Sequence, residues 1–131
     1  VAFSSIYEGV RKKVMIFSES LKKNKDFRIV YNKGTSHANR FFVMYVLENN
    51  LNRNRLGISV SKKVGNSVVR HRITRLVREC YRLHEEIFNC GLDIVVIARV
   101  SASGISYKEV RQALIHLATL HNINKKKMES F

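Results

Sequence analysis

The residues best equipped for chemistry in this chain are basic. Between positions 62 and 82 lie Lys62, Lys63, Arg70, Arg72, Arg75, Arg78 and Arg82, with Glu79 as the single acid. Asn66 is a good N-cap for a long helix reaching about Asn89, and Gly91 lies just beyond its end. At about 100° per residue, Val69, Ile73, Leu76, Val77, Cys80 and Leu83 share one arc. Arg72, Arg75, Arg78 and Arg82 share the opposite arc, with His71 among them. One face therefore packs on a core. The other presents cations with almost no acid for i, i+4 pairing, so they repel one another. Arginine, whose planar fork suits phosphate, predominates there.

The start of this helix breaks a local rule. A helix N-terminus carries partial positive charge and favours Asp or Glu in its first turn. Here there is none, Lys62 and Lys63 precede it, and Arg70 and Arg72 sit in its first two turns. A phosphate at the N–H groups of Asn66 and Ser67 would offset that cost. Gly65 would let a backbone approach closely. The chemistry implied is contact with a nucleic-acid backbone.

Chemistry by the protein itself has weaker support. A two-metal nuclease needs clustered carboxylates, and the ten acids are scattered, with Glu85-Glu86 the only adjacent pair. The two fall on different parts of a helix surface. The five histidines include no H-x-x-x-H, and His116 and His121 do not share a face. Cys80 and His84, at i, i+4 with Cys90 nearby, form at most half a zinc site, and they fall in the apolar arc where buried cysteine is common. No catalytic residue and no metal ligand is assigned.

The elements that must position these groups are those of one domain. The chain has 131 residues, 45% apolar and 26% charged. The charge balance is abnormal: 24 Lys and Arg against ten Asp and Glu give +14, which calls for a polyanionic partner. Proline is absent, excluding polyproline and collagen-like character. Two cysteines, Cys80 and Cys90, are no disulfide framework and fit a reducing, cytoplasmic setting. No apolar run is long enough to span a membrane.

Residues 1–20 have no sustained period and read as a loosely ordered arm. A first helix is expected over Asn24–Asn32, stopped by Gly34, with Phe27, Val30 and Tyr31 on one face. Arg40–Leu47 and Arg55–Ser61 read as strands, joined as an antiparallel hairpin by a long polar loop. A further short strand is expected around Thr35–Ala38. Leu92–Ala98 is a continuous apolar strand, expected to be central. Ser101–Gly104 is a loop, and Ser106-x-x-Glu109 is a capping box opening a helix to about His121. Residues 122–131, with Lys125–Lys127, form a basic tail expected to fray. The order α-β-β-(β)-α-β-α gives an α+β sandwich of helices on a small, mostly antiparallel sheet.

The stretch LGISVSKKVGNSVVRHRITRLVRE strongly resembles the signature of the bacterial ribonuclease P protein subunit. Lys63, Gly65, Asn66, Arg70, Arg72, Arg75 and Arg78 match that family's pattern. His71 replaces an Asn and can still donate a hydrogen bond, whereas Thr74 replaces a Lys and loses a charge. LKKNKDFRIVYNKGTSHANRFFVMYV is similar to the family's first helix and first strands. The resemblance covers about Leu21–Leu120. Residues 1–14 have no recognised counterpart and are expected to be an extension upstream of a natural start at Met15.

The resemblance implies a subunit of an RNA enzyme. Its partners would be ribonuclease P RNA and precursor tRNA, with no membrane and no obligate protein partner. The large RNA would hydrolyse precursor tRNA with Mg²⁺ held by RNA phosphates, releasing the 5′ leader. The protein would bind that RNA through Lys62, Lys63, Gly65, Asn66, Arg70, His71, Arg72, Arg75, Arg78 and Arg82. Phe27, Tyr31, Arg40 and Tyr45 would line a cleft for the single-stranded leader, although the residues alone favour core packing for the three aromatics. The implied fold is like the second domain of ribosomal protein S5, with a left-handed β-α-β crossover, opposite to the general rule. The alternatives are another basic RNA-binding protein of similar fold, such as a ribosomal protein, and a membrane-surface protein with a basic amphipathic helix.

Overall fold

The computed structural model describes residues 18–88 and 90–123. Its organising element is the apolar strand Leu92–Ala98, β5, buried along almost its whole length. Such a strand needs cover on both faces and partners on both edges, and the chain supplies all four. The sheet runs β1-β4-β5-β3-β2, with β1 Ser18–Ser20, β2 Thr35–Ala38, β3 Phe42–Glu48 and β4 Asn54–Ser59. Helix α1, Asn24–Lys33, covers one face. Helices α2, Ser67–His84, and α3, Tyr107–His121, cover the other. The α+β sandwich and the central placement of β5 are as expected from the sequence.

The hairpin is not. β3 pairs antiparallel with β5, and β4 pairs parallel with β5 from its other side. The sheet is therefore evenly mixed, because β1–β4 is parallel and β2–β3 antiparallel. The loop between β3 and β4 crosses the end of β5, about two strand spacings or 9.6 Å. Asn49 organises that crossing: its N–H donates to the Gly91 carbonyl and its Oδ1 accepts from Leu51 N–H. Asn50 takes the left-handed conformation at φ 61°.

The expected arm ends in a strand. β1 is three polar residues with no alternation to betray it, held by Glu19–Arg53 and by the Ser18 Oγ–Tyr81 hydroxyl contact. The rest of that arm lies outside the described residues. At the other end, Ile123 of the expected tail is buried and donates its N–H to Ala118 O, while Lys125–Lys127 lie outside the described residues.

Helix termini follow local chemistry. The Asn66 side chain caps α2 by accepting from Val69 N–H, and the Ser106/Glu109 capping box opens α3. Asn122, left-handed at φ 60°, closes α3. α2 ends at His84 rather than near Asn89. The last segment tightens to a 3-10 turn over Glu85–Ile87, and Gly91 at φ 81° redirects the chain into β5. Leu83, placed on the core arc by periodicity, is half exposed, and Tyr81 is buried in its stead. Its hydroxyl accepts from Asn54 Nδ2, while Asn54 Oδ1 accepts from Leu92 N–H. This chain of bonds joins α2 to β4 and β5.

One ion pair ties the α1 face together. Arg55 on β4 donates Nε and Nη2 to the two carboxylate oxygens of Asp93 on β5, at 2.8 and 2.7 Å. Asn49 Nδ2 donates to Asp93 at 2.8 Å, and Asp26 of α1 lies 3.7 Å from Arg55. The Asp93 carboxylate raises the guanidinium's already high pKa. Removing one partner leaves the buried carboxylate uncompensated. Arg55→Leu should therefore cost about 3–5 kcal/mol in chemical denaturation. Arg55→Leu combined with Asp93→Leu should recover much of that loss.

Candidate nucleic-acid interface

The sequence-derived site residues divide between two surfaces. The first is the solvent face of α2. Its apolar face buries Ile73, Val77, Cys80 and Tyr81, so the helix is clamped and its opposite side is fixed in orientation. Lys62, Lys63, His71, Arg72, Arg75 and Arg78 are all exposed, and none makes an ion pair with a described residue. Ser67, Val68, His71, Arg72 and Arg75 line an open hollow of about 410 Å³.

Three of the expected residues do something else as well. Arg70 is half-buried, and its Nε donates to the Gly65 carbonyl at 3.2 Å, bracing the loop that enters the helix. Gly65 is required by packing: a Cβ there would lie 2.8 Å from the Cβ of Val69. Arg82 is only 14% exposed and pairs with Glu79 at 2.7 Å, so its charge is already matched. Thr74, at the position lacking the family's Lys, donates its hydroxyl to the Arg70 carbonyl.

The second surface lies between α1 and the sheet. Phe27, Tyr31 and Tyr45 are half-buried against Leu21, Val30 and Val95. Tyr31 stands edge-on to Tyr45 at 5.1 Å between centroids, and Phe27 lies 6.2 Å from Tyr31. A cleft of about 520 Å³ opens beside them, lined by Asn24, Phe27, Arg28, Tyr31, Ile58 and Ser59. The aromatics are therefore the exposed edge of a small core, packed on one side and open on the other. Burial pushes the Tyr31 hydroxyl above its ordinary pKa, and a hydrogen bond from Ser59 opposes that shift. Gly57 makes the arrangement possible, because a Cβ there would lie 2.7 Å from the tip of the Phe27 ring.

Sheet register connects the surfaces. Ser59, at the end of β4, lies opposite Ile97, and Phe42, at the start of β3, lies opposite Ala98. Lys62/Lys63 and Arg40 therefore emerge from the same end of the sheet. Arg40 is exposed, with its guanidinium 5.0 Å above the Phe41 ring. Asn24, Arg28, Ser59 and Val68 are not identified by the sequence pattern. Strand alternation is the signal that could find Ser59, since Arg55, Gly57 and Ser59 share the α1 face.

The cysteine–histidine pair is structural. His84 Nε2 accepts from Arg111 Nε, so its Nδ1 donates to the Cys80 carbonyl at 2.9 Å. Burial pushes the Cys80 thiol up to about 11, and it stays protonated at neutral pH. Among the described residues no three His, Cys, Asp or Glu side chains converge as metal ligands. Glu85 is buried and Glu86 exposed, so that pair does not act together. His116 contacts Asn39, whereas His121 packs on His37 and bonds the Met44 carbonyl. No described helix is long and apolar enough to cross a membrane.

The family model for ribonuclease P matches residues 15–121. The chain belongs to the ribonuclease P protein family. It is 61% identical over 106 residues to the ribonuclease P protein component of Lachnoclostridium phytofermentans, covering 81% of this chain and 91% of that protein. It is 44% identical to the component of Clostridioides difficile, covering 82% and 95%. Among solved structures, the Staphylococcus aureus RNase P protein superposes with a TM-score of 0.74 at 41% identity, covering 79% of this chain and 95% of that one. The Thermotoga maritima RNase P protein gives 0.71 at 33%, covering 76% and 94%. Members of this family are protein components of ribonuclease P, the ribonucleoprotein that processes tRNA.

The cap at the entry to the arginine helix is separable from its charge. Asn66→Ala should destabilise the protein by about 1 kcal/mol, while Asn66→Asp should keep wild-type stability, both read from urea midpoints.

Proposed function

We propose that this protein binds the catalytic RNA of ribonuclease P through the solvent face of α2 and the 5′ leader of precursor tRNA through the α1 cleft. The observation that carries this reading is the row of exposed cations on α2, Arg72, Arg75 and Arg78, which make no ion pair with a described residue. Such a face is self-repelling until a polyanion covers it. The rigid apolar side of the same helix holds the cations in place, so little ordering is required on binding. The cleft suits a different ligand. Half-exposed aromatic rings stack on unpaired bases of any identity, Arg28 lines the cleft, and Lys62, Lys63 and Arg40 at one end of the sheet would add charge for the phosphates.

Hydrolysis would be the work of the RNA, with Mg²⁺ held by RNA and substrate phosphates. Among the described residues, Asp26 and Asp93 share Arg55, and no three His, Cys, Asp or Glu side chains converge to hold such an ion. The protein's contribution would be to supply fixed cations where folded RNA crowds its phosphates, and to hold the leader as an extra handle on precursor over mature tRNA. It would act in the cytoplasm, with no obligate protein partner.

Two outcomes test this. Reconstitution with a bacterial ribonuclease P RNA should give leader removal at lower Mg²⁺ than RNA alone, and protein alone should not cleave. Cleavage by RNA-free protein that survives further purification would contradict the assignment. Phe27→Ala and Tyr31→Ala should each weaken precursor binding by about 1 kcal/mol or more, leaving mature tRNA affinity and assembly unchanged. A lowered melting temperature with equal losses for every RNA would instead make both residues purely core.

A further inference from the structure

The hollow on α2 has a composition that phosphate binding alone does not explain. Among its lining residues Val68 is 74% exposed, the most exposed large apolar side chain described. It lines the hollow with Ser67, His71, Arg72 and Arg75. A phosphate site has no use for an isopropyl group, which gives no hydrogen bond and excludes the water that solvates the cations. The hydroxyl of Thr74, by contrast, is turned back onto the Arg70 carbonyl. The hollow thus offers an apolar floor, one flat imidazole and two guanidinium planes.

We propose that this hollow receives an unpaired nucleobase of the RNA bound on α2. The base would rest on Val68 and stack against His71, while Arg72 and Arg75 take the phosphates on either side of it. The proposal rests on the assignment of the α2 face to RNA and adds a non-ionic element to it. At about 410 Å³ the open hollow has room for a base and its ribose. Charge complementarity selects the occupant, because an apolar peptide would have to approach through three unneutralised arginines, including Arg78. His71 is also where this chain departs from the family signature it otherwise follows. Imidazole presents an aromatic face that the amide of Asn lacks, so the stacking would be a property of this chain rather than of the signature.

Ionic and stacking contributions separate through salt. Removing one phosphate-binding cation lowers the slope of log K against log salt by about 0.7–0.9, whereas removing a stacking partner leaves the slope unchanged. The test measures affinity of the full protein for a bacterial ribonuclease P RNA across a salt series. Val68→Ser and His71→Ala should each weaken binding at least about five-fold, the equivalent of 1 kcal/mol of stacking, at unaltered slope. His71→Phe should retain wild-type affinity. Both positions are exposed, so melting temperatures should stay constant. Unchanged affinity in Val68→Ser and His71→Ala would overturn the proposal. So would a loss in His71→Ala that brings a slope change and that Phe does not rescue. Arg75→Ala serves as the control for the underlying assignment: a normal slope there would remove RNA from this face altogether, and the base site with it.

Discussion

The structure depends on the position of β5 between one parallel and one antiparallel neighbour. A strand buried on both faces and hydrogen-bonded on both edges leaves no freedom of register, because a slip of one residue would exchange its two faces. Asp93, Val95 and Ile97 then face α1. Ile94, Val96 and Ala98 face α2 and α3. The Arg55–Asp93 pair locks β4 to that register on the α1 side, and the Asn54–Tyr81 bonds lock it on the other. From this one alignment follow the depth of the aromatic cleft, the orientation of α2 and the convergence of Lys62, Lys63 and Arg40 at one end of the sheet.

The same alignment gives two surfaces with different chemistry. On one side of the sheet, Gly57 makes room for the Phe27 ring and Ser59 supports Tyr31, so aromatic faces are held open at an edge. On the other, α2 commits its apolar face to the core and leaves its cations to solvent. At one end of the sheet Lys62, Lys63 and Arg40 emerge together. On the proposed function, separation by a rigid sheet would let one small domain hold two RNA segments without either competing for the other's binding groups.

Much of this is legible in the sequence. The charge asymmetry of 62–82, the Asn66 cap and the apolar run 92–98 each follow a local rule, and each is where that rule puts it. The failures are non-local. Two apolar strands joined by a polar loop favour a β3–β4 hairpin, yet partner choice is decided by β5, nearly forty residues after β4 in the chain. β1 gives no warning because Ser18-Glu19-Ser20 has no apolar signal and is a strand only by pairing with β4. Arg82 reads as part of the cationic face by periodicity, and only the structure shows Glu79 neutralising it. Val68 carries no signal of its own, because an apolar residue near a helix start is ordinarily a packing residue. Its exposure is a tertiary fact.

The claim that two faces of one sheet hold two different RNA segments has a direct physical test. A photoactivatable side chain is placed at position 31 in one sample and at position 75 in another, each assembled with catalytic RNA and a precursor tRNA labelled in its leader. Cross-links from position 31 should fall in the leader, and those from position 75 in the catalytic RNA. Cross-links from both positions to the same RNA segment, or the reverse assignment, would contradict the account.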